Sequence, residues 1–221
     1  MKESYNTLIV DDHHLVLKGI ISTLHELTES KGLVFETHLA RRSSQALSIL
    51  RKHSSFDLAF LDIKLPPEPD IEMYSGEDLG MKIRKLYPAI TIIVITAYDS
   101  PIRIKSILNN ISPEGFIIKG DILHGGLVSA IEQTLNNPPY YSSTVLGGLV
   151  DFANVNITLD KLDIQLLIQL DRGRTMGEIA EQLFLSRSAI VKRKQKLKLQ
   201  LEIESGNDRD LINRAYELGF I

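Results

Sequence analysis

Leu8-Ile9-Val10-Asp11-Asp12 and, roughly fifty residues later, Phe60-Leu61-Asp62 each end an apolar run in carboxylates. An apolar run of four to six residues bounded by polar ones reads as a buried parallel strand. In open α/β sheets the carboxyl ends of such strands line the ligand crevice, so Asp11, Asp12 and Asp62 are expected to converge there. Three carboxylates gather in one crevice only when something positive joins them. A hard divalent cation with oxygen ligands, Mg²⁺, meets that need. The following His13 and His14 cannot share one helix face, and a hard cation wants oxygen ligands, so both are read as structural.

Working outward, the first ~137 residues alternate strand and helix signals. Strand-like runs occur at Thr7–Val10, Leu33–Leu39, Phe56–Leu61, Thr91–Thr96 and Phe116–Lys119. Between them Leu17, Ile20, Ile21 and Leu24 recur at helical spacing, as do Leu79, Ile83 and Leu86, and Leu127, Ile131 and Leu135. Strict alternation predicts an α/β fold, a (βα)5 doubly wound parallel sheet covered by helices on both faces. Asn136-Asn137-Pro138-Pro139 should end the last helix of this 1–137 domain. Residues 138–157 show no clean period and contain Gly147-Gly148, so they read as a linker with a short helix over Val145–Phe152.

From 158 to 221 the signals are only helical and predict a small four-helix domain. Asp160 with Asp163 opens the first helix and Gly173 closes it. Thr175-Met176-Gly177-Glu178 is a capping box that starts a second helix, running through Leu183. Ser186 caps a third, through about Leu201, and after a loop holding Ser205-Gly206-Asn207 a fourth runs from Asp208 to Leu218. In the third helix Ile190, Leu197 and Leu201 share one face and should be core, while Arg187–Lys198 holds six basic residues and no acid. The fourth carries Leu211, Ile212, Ala215, Tyr216 and Leu218, more apolar surface than a lone terminal helix needs.

Bulk properties exclude several classes. Hydrophobic content is 43 % and net charge −3, ordinary for a globular protein, but 158–221 carries +1 and the rest −4. No apolar run approaches the roughly 18 residues of a membrane helix, and the N-terminus lacks a signal-peptide core, so a cytoplasmic protein is expected. With no cysteine there are neither disulfides nor thiolate metal sites.

Thr96-Ala97 and Lys119 also fall at strand ends facing the same crevice. With Asp11-Asp12, Asp62, Thr96-Ala97 and Lys119 in this order, residues 5–137 strongly resemble the receiver domain of two-component response regulators, a flavodoxin-like fold. The resemblance implies that Asp62 is the phosphoryl acceptor, and that Asp12 and Asp62 ligate Mg²⁺ directly while Asp11 acts through water. The backbone carbonyl of Lys64 would complete the protein ligands. Lys119 would neutralise phosphoryl oxygens, the Thr96 hydroxyl would bond one of them, and Ala97 leaves room for the group. Phe116 falls at the family's aromatic switch position, and would equally serve as a core phenylalanine. One departure lies after Pro66. The loop glycine that should follow closely is Gly76, and Pro67–Ser75 is about six residues too long. It reads either as a tolerated surface insertion or as a device that modulates partner docking or phosphate lifetime.

Residues 159–221 resemble the helix-turn-helix of NarL/FixJ (LuxR-type) regulators through Gly173, Glu178-Ile179-Ala180, Leu183, Ser186 and the closing Leu218-Gly219-Phe220-Ile221. The resemblance implies a third helix in the DNA major groove, with Arg187, Ser188, Val191, Lys192, Arg193 and Lys196 as contacts. It also implies dimerisation through the fourth helix. The family's threonine-valine-basic triplet is Ala189-Ile190-Val191 here, which replaces one polar contact with an apolar side chain. The loop before Arg209 is about two residues longer than the pattern. The expected protein is a DNA-binding response regulator, not an enzyme beyond its own phosphoryl chemistry, served by a sensor histidine kinase and acting on double-stranded DNA as a homodimer. Two alternatives stand beside it. One is a phosphorylation-independent regulator that keeps the receiver as a dimerisation module. The other is a phosphotransferase or phosphatase with an aspartate nucleophile, whose expected second acid, two residues on, is Lys64 in this chain.

Overall fold

The computed structural model describes residues 4–53, 55–122, 126–154, 159–201, 203, 207–218 and 220–221. Of the features expected above, the 155–157 end of the linker, Thr158, Ser205-Gly206 and Gly219 lie outside the described residues. The chain divides into two compact units, residues 1–99 with 104–148, and residues 149–221 with 100–103.

Across the first unit, into which α4 runs from its start at Pro101, β1 (Ser4–Val10), α1 (His14–Lys31), β2 (Val34–Ala40), α2 (Ser43–Lys52), β3 (Leu58–Leu61), α3 (Gly76–Leu86), β4 (Thr91–Thr96), α4 (Pro101–Ile111), β5 (Gly115–Ile118) and α5 (Gly126–Asn136) follow in strict alternation. All strands pair in parallel, in the order β2-β1-β3-β4-β5 with a sixth, β6 (Tyr140–Tyr141), at the far edge. β3 and β5 are buried at every position, as strands covered on both faces must be, whereas edge strand β2 is largely exposed. On one face Ile9, Phe60, Ile93, Ile95 and Ile117 pack with Leu17, Ile20 and Leu24 of α1 and Leu127 and Ile131 of α5.

The segment expected as a linker is folded. β6 pairs with Gly115 and Phe116 of β5, and α6 (Ser143–Asn154) follows it. The Asp121 carboxylate, in the turn after β5, accepts from Thr144 N at 3.0 Å and Thr144 Oγ1 at 2.7 Å and so serves the first turn of α6. A two-residue strand carries no detectable period, and the partner that makes it a strand lies some 25 residues upstream.

The second unit holds α7 (Lys161–Asp171), α8 (Met176–Gln182), α9 (Arg187–Gln200) and α10 (Asp208–Glu217). Capping boxes at Asp160/Asp163 and Thr175/Glu178 start α7 and α8, and the Ser186 hydroxyl accepts from Ala189 N to start α9. Gly173, at φ 71°, takes the left-handed conformation that ends α7. Leu166, Leu170, Ile179, Ile190, Leu197, Leu201, Leu211 and Ala215 form the core. The apolar surplus expected on α10 is absorbed there. Leu211 and Ala215 are fully buried, Ile212 and Leu218 pack against them, and Tyr216, half exposed, donates its hydroxyl proton to Asp171 Oδ2 at 2.7 Å.

Candidate functional site

The chain runs from β1 outward to β2 and then back across to β3, so the sheet's winding reverses between β1 and β3. At such a reversal the connections leave on opposite faces and open a crevice at the carboxyl ends of the two strands. Register fixes what lines it. Val10 pairs with Leu61, and Asp62 N donates to Val10 O at 2.9 Å, so Asp11 and Asp62 emerge side by side. Both are 1 % exposed, while Asp12 is half buried at the rim. Lys119, leaving β5, brings Nζ to 2.8 Å from Asp11 Oδ2 and 2.6 Å from Asp62 Oδ2. Asp62 Oδ1 accepts from Lys64 N at 3.0 Å, and Asp11 Oδ1 from His13 N at 2.8 Å.

Three carboxylates thus face a single lysine. Burial is the largest influence on Asp11 and holds its carboxyl above the usual range, against the hydrogen bond from Lys119. Burial alone would lower the Lys119 ammonium, but its hydrogen bonds to Asp11 and Asp62 outweigh burial and hold it above its ordinary value, so it stays charged. The charge balance still leaves an excess of negative charge. Asp12 Oδ1 is buried and accepts no hydrogen bond, although His13 Nδ1 lies 2.7 Å away. Ligand atoms of Asp11, Asp12, His13 and Asp62 all lie within 4.8 Å of one another. A surplus of hard oxygen donors with an unsatisfied buried oxygen among them fits a divalent cation.

Thr96 ends β4 fully buried, its Oγ1 accepting from Tyr98 N at 3.4 Å. Phe116 is fully buried in β5, as a core phenylalanine would be. Gly76 is the loop glycine, and close approach demands it. A Cβ there would stand 1.9 Å from the Asp62 carbonyl oxygen, and Gly76 N donates to Ile63 O at 2.9 Å. The long loop before it is ordered, with a 3₁₀ turn at Pro69–Ile71 and a bridge between Glu68 and Met73. Its Glu68 carboxylate accepts from Ser44 N at 2.9 Å and Ser44 Oγ at 2.5 Å. This supplies the first turn of α2 with the cap that its own Arg42 does not provide.

On α9 the exposed residues are Arg187, Ser188, Val191, Lys192, Gln195, Lys196 and Leu199, a single helical face. Five of the six expected contacts lie on it. Arg193 does not, because it sits three residues after Ile190 and four before Leu197, on the inward side. Its Nη1 stands 2.6 Å from Asp160 Oδ2 and 2.5 Å from the buried Asp163 Oδ1. Lys194 and Lys198 likewise turn to Asp208, at 2.9 and 3.2 Å. Gln195, which sequence reasoning did not name, lies on the same exposed face, and His13, read as structural from the sequence, stands beside Asp12.

A family model of the response regulator receiver domain matches residues 7–122. The chain is 26 % identical over 210 residues to the oxygen regulatory protein NreC of Staphylococcus carnosus, covering 90 % of this chain and 91 % of that one. It is 24 % identical over 211 residues to the DNA-binding transcriptional activator EvgA of Escherichia coli, covering 90 % and 93 %. In fold it is similar to RcsB of Salmonella enterica serovar Typhimurium bound to promoter P1flhDC in the presence of phosphomimetic BeF3⁻ (TM-score 0.68, 22 % identity, 97 % of this chain and 98 % of that chain). It is also similar to a chain from a structure of two RcsB dimers bound to two parallel DNAs (TM-score 0.65, 22 % identity, 97 % and 99 %). Among the described residues no helix is long and apolar enough to cross a membrane. With the receiver match spanning its acid crevice, the chain belongs to the response regulator receiver family.

Proposed function

We propose that this chain is a cytoplasmic DNA-binding response regulator switched by phosphoryl transfer from a histidine kinase to Asp62. The observation that carries this reading is the buried Asp62 carboxylate at the end of β3, with Lys119 Nζ at 2.6 Å and two further carboxylates beside it. A carboxylate oxygen of Asp62 attacks the phosphorus of the kinase phosphohistidine. The new O–P bond forms as the P–N bond breaks, and the imidazole leaves with the electron pair. Lys119 neutralises the incoming phosphoryl oxygens, and the Thr96 hydroxyl donates to one of them. Asp11, Asp12, Asp62 and the Lys64 carbonyl would hold Mg²⁺, which supplies the further positive charge that phosphoryl transfer requires. Phosphorylation then shifts a pre-existing receiver equilibrium that governs dimerisation and DNA binding.

The DNA-contacting surface is the outward face of α9, with Arg187, Lys192 and Lys196 on phosphates and Ser188, Val191 and Gln195 toward base edges. Structures of RcsB dimers on DNA support a twofold assembly, so half-sites should be spaced by the helical turn. Mass spectrometry after acetyl phosphate treatment tests the reading. The intact chain should gain one phosphoryl group only with Mg²⁺ present, and Asp62→Asn should gain none. Labelling that persists in that variant would sink the assignment. DNA affinity that ignores labelling would leave the receiver as a dimerisation module.

A further inference from the structure

We propose that His13 is a fourth side-chain ligand of the acid crevice and tunes it toward metals that accept nitrogen, Mn²⁺ ahead of Mg²⁺. This rests on the reading that the crevice holds a divalent cation. His13 Nδ1 lies 2.7 Å from Asp12 Oδ1 and 3.4 Å from Asp11 Oδ1. Adjacent ligands of an octahedral ion with bonds of about 2.1 Å stand about 3 Å apart, and the two distances straddle that edge. The His13 Nδ1–Asp12 Oδ1 separation is within ion-pair range, and the buried Asp12 Oδ1 has no hydrogen-bond donor aligned on it. The ring nitrogen and the carboxylate oxygens of Asp11, Asp12 and Asp62 lie within 4.8 Å of one another, a donor set that one shared cation joins.

Backbone geometry directs the imidazole inward. His13 precedes the first residue of α1 with φ −87° and ψ 109°, and its N–H donates to Asp11 Oδ1, so Asp11 folds the chain back over the crevice. His14, one residue on, points elsewhere and lines a hollow with Leu17, Leu39 and Gln45. The His13 ring is 60 % exposed, so it can complete a coordination sphere without repacking the core. An all-oxygen site suits Mg²⁺, and one imidazole added to three carboxylates shifts preference along the divalent series toward Mn²⁺ and later ions.

The test uses the untagged full-length protein, titrated calorimetrically with MgCl2 and with MnCl2, and pulsed EPR of the Mn²⁺ complex. His13→Ala should weaken Mn²⁺ binding about tenfold, leave Mg²⁺ within about twofold, and erase the ¹⁴N modulation of bound Mn²⁺. His14→Ala should change neither metal. Equal losses for both metals in His13→Ala, or wild-type Mn²⁺ displaceable by Mg²⁺ yet without nitrogen coupling, would overturn the role of His13 and leave the metal crevice standing. If neither metal binds the wild type, or Asp12→Asn leaves both affinities unchanged, the crevice reading falls and this inference with it.

Discussion

In the receiver, Lys119 reaches Asp11 at 2.8 Å and Asp62 at 2.6 Å; in the helical unit, Arg193 reaches Asp160 at 2.6 Å and Asp163 at 2.5 Å. Each is one cation between two carboxylates, at least one of them fully buried. The surroundings separate them. Asp160 and Asp163 also form the capping box of α7, so the acids that hold Arg193 have further donors within the same turn. Asp160 is half exposed and shares its charge with water. The receiver cluster has a third carboxylate and an Asp12 oxygen with no aligned donor, the exposed His13 ring beside it, while Arg41 reaches only the Asp12 backbone carbonyl, at 3.3 Å. Acids that are hydrogen-bonded within their own turn pin two helices together, whereas a cluster with a surplus carboxylate and an unaligned oxygen invites a metal ion and a phosphoryl group.

That contrast can be broken most directly by removing a member from each cluster. Arg193→Ala leaves the buried Asp163 without its counter-charge and should cost the helical unit about 3 kcal/mol, the low end for a broken buried pair because Arg193 keeps some exposure. Asp12→Ala removes one of several like charges and should leave folding within about 0.5 kcal/mol while weakening Mg²⁺ binding. Urea unfolding followed by hydrogen exchange resolved by unit would check both. Equal losses in the two units would erase the distinction between a structural and a reactive cluster.

A finer test asks whether charge on α9 is surface or framework. Lys192→Gln and Lys196→Gln should each weaken binding to all DNA sequences and flatten the slope of log affinity against log salt by about one unit. Arg193→Gln should leave that slope unchanged, since its guanidinium is committed to α7. A loss of slope in Arg193→Gln comparable to that of Lys192→Gln would return Arg193 to the DNA face.

The smallest effect is on pH. Hydrogen bonds from Arg193 hold Asp160 below its ordinary value of 3.8, and those from Lys194 and Lys198 do the same for Asp208, against burial that would raise it. An acid whose folded pKa is depressed contributes stability above the unfolded value and loses it as pH falls through the folded one. The helical unit should therefore weaken below about pH 3.8, and Asp160→Asn should blunt that loss. Asp11 has the opposite sign. Its raised pKa makes protonation easier in the folded state, so its contribution grows as pH falls from neutrality toward 3.8. Hydrogen exchange across pH 3 to 6, comparing wild type with Asp11→Asn and Asp160→Asn, would reveal opposite trends. Parallel trends would mean the two clusters titrate alike.

Much of this was legible in the residues because it is written in short-range terms. Short bounded apolar runs and period 3.6 placed the strands and helices, and the Asp160/Asp163 and Thr175/Glu178 spacings marked two helix starts at i, i+3. Carboxylates at the ends of β1 and β3 had to meet once the sheet was parallel and wound in both directions. The sequence reading set Arg193 among the DNA contacts, although its spacing from Ile190 and Leu197 already turns it inward, where the structure pairs it with Asp160 and Asp163. What the tertiary structure alone decided are pairings between groups with no shared period. They include Arg193 with acids 30 and 33 residues earlier, Glu68 with Ser44 at the start of α2, and Tyr140–Tyr141 as a sixth strand. The bend that swings His13 onto Asp12, and so into the crevice, belongs with them. Local pattern fixes where an element runs and which face is apolar. Which charge meets which depends on register and packing, set only when distant elements close on one another.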